Sequence, residues 1–186
     1  MALSATEMGI RNVRVMYPHL TTPKAFRPGD DPKYQALIVI HKTDPQVQQI
    51  LAIYNSLIAN ELDGKIPTGN NVLLKEDPNN PNLNGYYYFS AKSSQPPDLM
   101  DQAMQPLLEP INDGDFVHVG VNFFAYTTPN VGVSAFLNKV MFVGRGQEKL
   151  GTGGGGSRED YFGSPQQQPV QQVVGQPVVG PAPRPF

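Results

Sequence analysis

The sequence predicts a mainly β protein, a barrel or sheet carrying one amphipathic helix, followed by a disordered C-terminal tail. Three observations carry that prediction. Apolar residues alternate with polar or aromatic ones along several strand-length runs. A single segment repeats its apolar residues at helical spacing. After residue 150 the chain turns to Gly, Gln, Pro and Val with almost no charge, a composition that cannot bury enough surface to offset the entropy of ordering it. The expected organisation is one domain over 1–150 and a tail over 151–186.

Composition narrows the function classes. The 186 residues suffice for one domain with a core plus extras. Cysteine is absent, which excludes a disulfide scaffold, a zinc ribbon and a thiol nucleophile, and suits a reducing cytosol. The N-terminus lacks a basic start followed by an apolar run, and no apolar run approaches a membrane span. A soluble, cytoplasmic protein without membrane partners is expected. Fourteen Lys and Arg against 16 Asp and Glu give a net charge of −2. That argues against nucleic-acid binding by charge alone, but not against a local basic groove with stacking rings.

The first strand is expected over 10–17, with Val13 and Val15 sharing a face with Arg11 and Tyr17, while Asn12, Arg14 and Met16 lie opposite. Pro18 should end it. The following segment, rich in Pro and carrying a Gly-Asp-Asp turn signal, reads as a long exposed loop. It holds a basic-aromatic-basic cluster, Lys24, Phe26 and Arg27, which suits either a solvated loop with one anchoring ring or a binding element. A second strand over 33–42 puts Tyr34, Ala36, Ile38, Ile40 and Lys42 on one face and Gln35, Leu37, Val39 and His41 on the other.

The helix follows. Asp44 is the N-cap, Pro45 the first helical residue, and Val47, Ile50, Leu51, Tyr54, Leu57, Ile58 and Leu62 form the apolar stripe, with Gly64 as terminator. Its polar face is mostly Gln and Asn, so its role is structural. Residues 65–85 read as loops around a short apolar piece, 72–74.

A third strand over 86–92 sets Tyr86, Tyr88, Ser90 and Lys92 against an inward set of Tyr87, Phe89 and Ala91. Consecutive tyrosines exceed what a core needs, because buried hydroxyls want partners. Residues 93–112 are Pro-interrupted, with a helical turn expected over 99–104. Asn112, Asp113, Gly114 and Asp115 read as a tight turn rather than a catalytic or metal pair.

Residues 116–143 read as two long strands joined by a turn at Thr127, Thr128, Pro129 and Asn130. Val117, Val119, Val121, Phe123 and Ala125 form an apolar face. Phe116, His118, Gly120, Asn122, Phe124 and Tyr126 form the other, which mixes rings with hydrogen-bonding groups. Such a face suits stacking of flat partners, or a sheet covered on both sides. A bulge near Asn138 would exchange the faces of everything after it.

No catalytic constellation is present. The Gly-rich run 151–157 lacks the lysine of a phosphate-binding loop. His19, His41 and His118 stand alone, without metal-ligand spacing. No nucleophile elbow occurs. No enzyme activity, metal or cofactor is expected.

Four motifs in order, NVRVMYP at 12–18, KYQALIVIHK at 33–42, YYFSAKS at 87–93, and FFAY at 123–126 with GVSAFLNKV at 132–140, resemble the single-stranded DNA-binding proteins of tailed phages, over roughly residues 8–150. The resemblance implies an OB-fold barrel that binds single-stranded DNA with little sequence preference and shields it during phage DNA replication or recombination. Rings would stack bases and cations would meet the backbone. Tyr34, Tyr86, Tyr88, Phe124 and Tyr126 are the stacking candidates; Arg11, Arg14, Lys33, Lys42, Lys92 and Lys139 are the phosphate candidates.

Two features depart from familiar patterns. The usual OB-fold helix follows the third strand, whereas this one follows the second. Bacterial relatives in function end in an acidic stretch closing with Pro-Phe, which recruits partner enzymes; this chain closes with Pro185 and Phe186 behind Arg184. Recruitment of replication or recombination proteins by the tail is the expectation those two residues raise. A structural or adaptor protein with an adhesive tail, and a sugar-binding domain using the same rings, are the competing readings. Oligomeric state is not legible.

Overall fold

The computed structural model describes residues 2–146 and residue 150. The expected tail, with Pro185 and Phe186, lies outside the described residues. Six strands, one α-helix and two short 3-10 turns make up the described part: β1 Glu7–Lys24, β2 Lys33–His41, α1 Gln46–Glu61, turns at Gly69–Asn71 and Pro81–Leu83, β3 Tyr86–Ser93, β4 Asp98–Met100, β5 Phe116–Tyr126 and β6 Gly132–Gly144. The sheet order is β3-β2-β1-β5-β6-β4, and a parallel β3–β6 pairing closes five of the strands into a barrel. β1 serves two neighbours. Its first half pairs with β5 and its second half with β2.

The alternation places the core where the sequence expects it. Val117, Val119, Val121 and Phe123 of β5 point inward with Ile38 and Ile40 of β2 and Phe89 of β3. The Phe89 and Phe123 rings meet at 5.7 Å. Burying each such side chain contributes about 1.5–3 kcal/mol. The helix behaves as its signals require. Pro45 is already helical at φ −60°, and Asp44 Oδ1 accepts from the Gln46 N–H at 2.9 Å. Gly64, at φ 75°, sends its N–H back to Ile58 O at 2.9 Å, closing the last turn in a conformation glycine tolerates. Val47, Ile50, Leu57 and Ile58 are buried in the barrel core. The helix lies between the second and third strands, with no strand missing ahead of it.

Three register irregularities break the simple alternation of the strands. Ile10 and Val13 pair with Val119 and Val117, so β1 holds one extra residue there. Arg11 and Asn12 both face solvent, with Asn12 at φ 53°. Arg11 is therefore expelled from the Val13 and Val15 face that simple alternation gives it. A second irregularity lies between Met16 and His19, with Tyr17 at φ 51°. It accommodates Pro18, which has no N–H for the ladder, and the strand continues to Lys24 instead of ending. The third is at Asn138. Gly120 pairs with Lys139 and Val121 with Leu137, so Leu137 and Val140 both point inward while Asn138 and Lys139 point out.

The segment after β3 also differs from expectation. Asp98–Met100 pairs in parallel with Lys139–Met141 of β6 as strand β4. Extended backbone here is held by β6 on one side and by the return of Leu107, whose N–H donates to Leu99 O at 3.1 Å.

A second, smaller apolar cluster sits on the outer face of the β1–β3 sheet. Met16, Val39 and Leu83 are buried there with Leu150. Leu150 is fixed by its peptide groups: its N–H donates to Asp113 Oδ1 at 2.7 Å, and its carbonyl accepts from Asn80 Nδ2 at 2.8 Å. Asp113 Oδ2 also accepts from the Tyr17 N–H. Asp115 is buried, accepts from the Asn112 and Gly146 N–H groups, and pairs with Arg145 at 2.7 Å. The two carboxylates shape the turn and fix where the chain leaves the barrel.

Candidate nucleic-acid interface

The outer face of β1–β3 carries a groove of about 610 Å³. Its floor comes from outward residues of two strands, Gln35 and Leu37 of β2 and Tyr88, Ser90 and Lys92 of β3. One wall is the end of β1 at Lys24 and the β1–β2 connection with Phe26 and Arg27; Asn70 and Lys75 form the other. Phe26 is 74% exposed, and the Lys92 ammonium stands 5.5 Å from its ring centre. Lys75 is tied to β3 by a reciprocal backbone pair with Tyr88, 2.8 and 2.9 Å, which holds its side chain beside the floor.

Electrostatics follow from this crowding. Burial, and then the nearby Lys92 charge, hold the Lys75 ammonium below its ordinary pKa. Burial, then Asp77, raise the Tyr88 phenol, so at neutral pH it stays a protonated donor. Burial, then Lys24, lower His19, which leaves its ring mostly neutral at pH 7. The result is a local cluster of fixed cations and flat rings within a chain of slightly negative net charge.

Of the residues singled out in the sequence, Tyr88 and Lys92 line this groove. Tyr86 is on the same face but lies edge-on to His41 at 5.1 Å and packs on the second cluster. Lys33, opposite Lys24 at the base of the connecting loop, donates to Ser94 Oγ at 2.6 Å. Tyr34 is half-buried in the inward register of Ala36, Ile38 and Ile40, apart from the outer floor. Lys42 is ion-paired with Glu76 and lies 5.3 Å from the Tyr87 ring centre.

Phe124, Tyr126, Arg11, Arg14 and Lys139 lie elsewhere on the barrel. Phe124 stacks on Phe136, centroids 4.1 Å apart and planes 20° from parallel. Tyr126 covers Gly132, where an added Cβ would displace the tip of its ring, and its hydroxyl donates to Asn71 at 3.1 Å. Arg11 is exposed, its peptide groups bound by the Gln46 side chain at 2.8 and 2.9 Å. Arg14 donates from Nε to Gly114 O at 2.9 Å and covers the Phe116 ring. Lys139 lies 3.9 Å from Asp98.

Sequence reasoning passed over Lys75 and Phe136, and left the Lys24, Phe26 and Arg27 cluster undecided. Lys75 follows an apolar piece with no strand signal, and its place depends on pairing with Tyr88. Phe136 sits in an alternating strand whose outward face the bulge at Asn138 makes hard to read.

A closed five-stranded barrel, with a ring-lined basic groove on the sheet formed by its first three strands, defines an OB-fold protein. The sequence model of a family described as Enterobacter phage Enc34, ssDNA-binding protein, matches residues 6–173. The chain belongs to that family. No curated protein matches the chain. Among solved structures, the single-stranded DNA-binding protein from bacteriophage Enc34 in complex with ssDNA is similar at a TM-score of 0.70 and 21% identity, over 80% of this chain and 91% of that one. A second structure of the single-stranded DNA-binding protein from bacteriophage Enc34 gives 0.68 and 22%, over 85% and 91%. The single-stranded DNA-binding protein gp2.5 of bacteriophage T7 gives 0.53 and 14%, over 80% and 96%. At these identities the likeness establishes the fold.

Proposed function

We propose that this protein binds single-stranded DNA without catalysis and with little sequence preference, shielding single strands during phage DNA replication or recombination in the host cytoplasm. One observation carries the reading: Phe26, Tyr88, Lys75 and Lys92 converge on one open groove although they come from three separate segments of the chain. Rings accept any base, because every base has a π-face, and ammonium groups meet phosphates of any sequence. The sequence tolerance follows from that pair of contacts. Membership of a family of phage single-stranded DNA-binding proteins supports it.

The test is a titration of the full chain with oligo-dT, the matching RNA and a duplex at two salt concentrations, read by tyrosine fluorescence and gel shift. Binding of oligo-dT that weakens with salt and is weakened in Tyr88→Ala is the expected result. Absence of binding at low salt would sink the proposal. Pro185 and Phe186 are the proposed contacts for replication or recombination proteins. Removing 180–186 should abolish co-purification of such a partner while leaving DNA affinity intact; unchanged capture would dismiss the role.

A further inference from the structure

The barrel carries a second group of rings outside the groove. Phe136 of β6 is 48% exposed and stacks face to face on the outward Phe124 of β5, with Tyr126 a further 6.4 Å from Phe124. A cross-strand aromatic pair stabilises a hairpin by about 0.2–1 kcal/mol, but the hairpin has no need to leave half of a phenylalanine ring in solvent. The position of that ring is informative. The parallel closure of the barrel sets Lys92 of β3 directly beside Phe136 of β6. Both side chains are exposed. Lys92 is also the cation that stands over Phe26. Lys92 thus holds its ammonium beside the groove's exposed ring while its backbone partner across the closure is Phe136 of the Phe124–Phe136 pair.

We propose that the Phe124–Phe136 pair is a second base-stacking station for single-stranded nucleic acid, which a strand leaving the β1–β3 groove reaches by crossing the β3–β6 closure at Lys92. The inference rests on the function proposed above and adds to it a path and a length. The rings supply the face a base needs, and Lys92 supplies the positive charge for a phosphate between the two stations. The chemistry commits the surface to a polyanion with flat groups.

The experiment uses the full chain, oligo-dT of graded length, and the variants Phe136→Ala and Phe136→Tyr. OB-folds occupy about 4–16 nucleotides, so oligomers of about 4 and about 16 nucleotides bracket one station and two. Phe136→Ala should leave affinity for the short oligomer unchanged and lower it for the long one by roughly 5- to 150-fold, the range for one stacked base. Phe136→Tyr, which keeps a ring face, should restore it. Equal affinities of Phe136→Ala and wild type at every length would overturn the second station. So would equal losses at both lengths, which would place Phe136 in the groove itself. So would a change of sedimenting mass with no change in affinity, which would mark a self-association surface. If wild type binds no oligomer, the proposed function fails, and that result is distinct from each of these.

Discussion

At the scale of single residues, the groove depends on how each side chain is held. Tyr88 presents a ring whose backbone is gripped on both edges, by Val39 of β2 and by Lys75. Little freedom remains to be lost on binding. Tyr88→Ala should weaken oligo-dT binding by about 1–3 kcal/mol, whereas Tyr88→Phe, which keeps the ring, should lose much less; fluorescence anisotropy with labelled dT separates the two. Lys75 gives a pH prediction. Its folded pKa is depressed by burial and by Lys92, so some of these ammoniums deprotonate below the ordinary value of 10.5. A phosphate favours the charged form, so binding takes up a proton and affinity falls as pH rises through the depressed pKa. Isothermal titration in buffers of different ionisation heat should detect that proton at alkaline pH. In Lys75→Met the linked uptake should vanish.

At the scale of elements, most strand faces were legible because burial imposes a period of two. Val117 through Phe123, and Tyr86 through Lys92, sit on the faces that alternation assigns them. What escaped were the places where a strand must fit a partner distant in sequence. Arg11 and Tyr17 lie at irregularities set by β5 and β2, and no local spacing announces them, whereas the bulge near Asn138 is one the sequence raises and pairing with β5 fixes. The candidate site was half legible for the same reason. Tyr88 and Lys92 follow from one strand's pattern, while Lys75 and Phe136 depend on pairing and closure. The Asn138 bulge can be tested directly. Deleting Asn138 alone restores simple alternation and leaves Leu137 and Val140 both inward, whereas deleting Asn138 and Lys139 together forces one of them out of the core, at a cost of roughly 1.5–3 kcal/mol. Asn138→Ala keeps the residue count and should change stability by no more than about 0.5 kcal/mol. Urea unfolding of these variants distinguishes loss of the bulge from loss of a core position.

At the scale of the molecule, a net charge of −2 coexists with Lys24, Arg27, Lys75 and Lys92 around one groove. Binding should therefore respond strongly to salt despite the acidic average. Single strands give a slope of about −0.7 in log affinity against log salt per neutralised phosphate, so four cations predict a slope near −3, roughly. A slope near zero would show that these cations do not meet phosphates. The Leu150 anchor has a practical consequence for anyone shortening the chain. A protein ending at residue 146 loses more than the segment beyond it. It also uncovers Met16, Val39 and Leu83, the apolar bed on which Tyr86 and Tyr88 rest. Such a truncation should melt at a lower temperature and bind DNA differently for reasons unrelated to the removed tail. A protein ending at 153 keeps Leu150 under Asn80 and Asp113 and should melt like the full chain. Only the later stop measures what the remaining residues contribute.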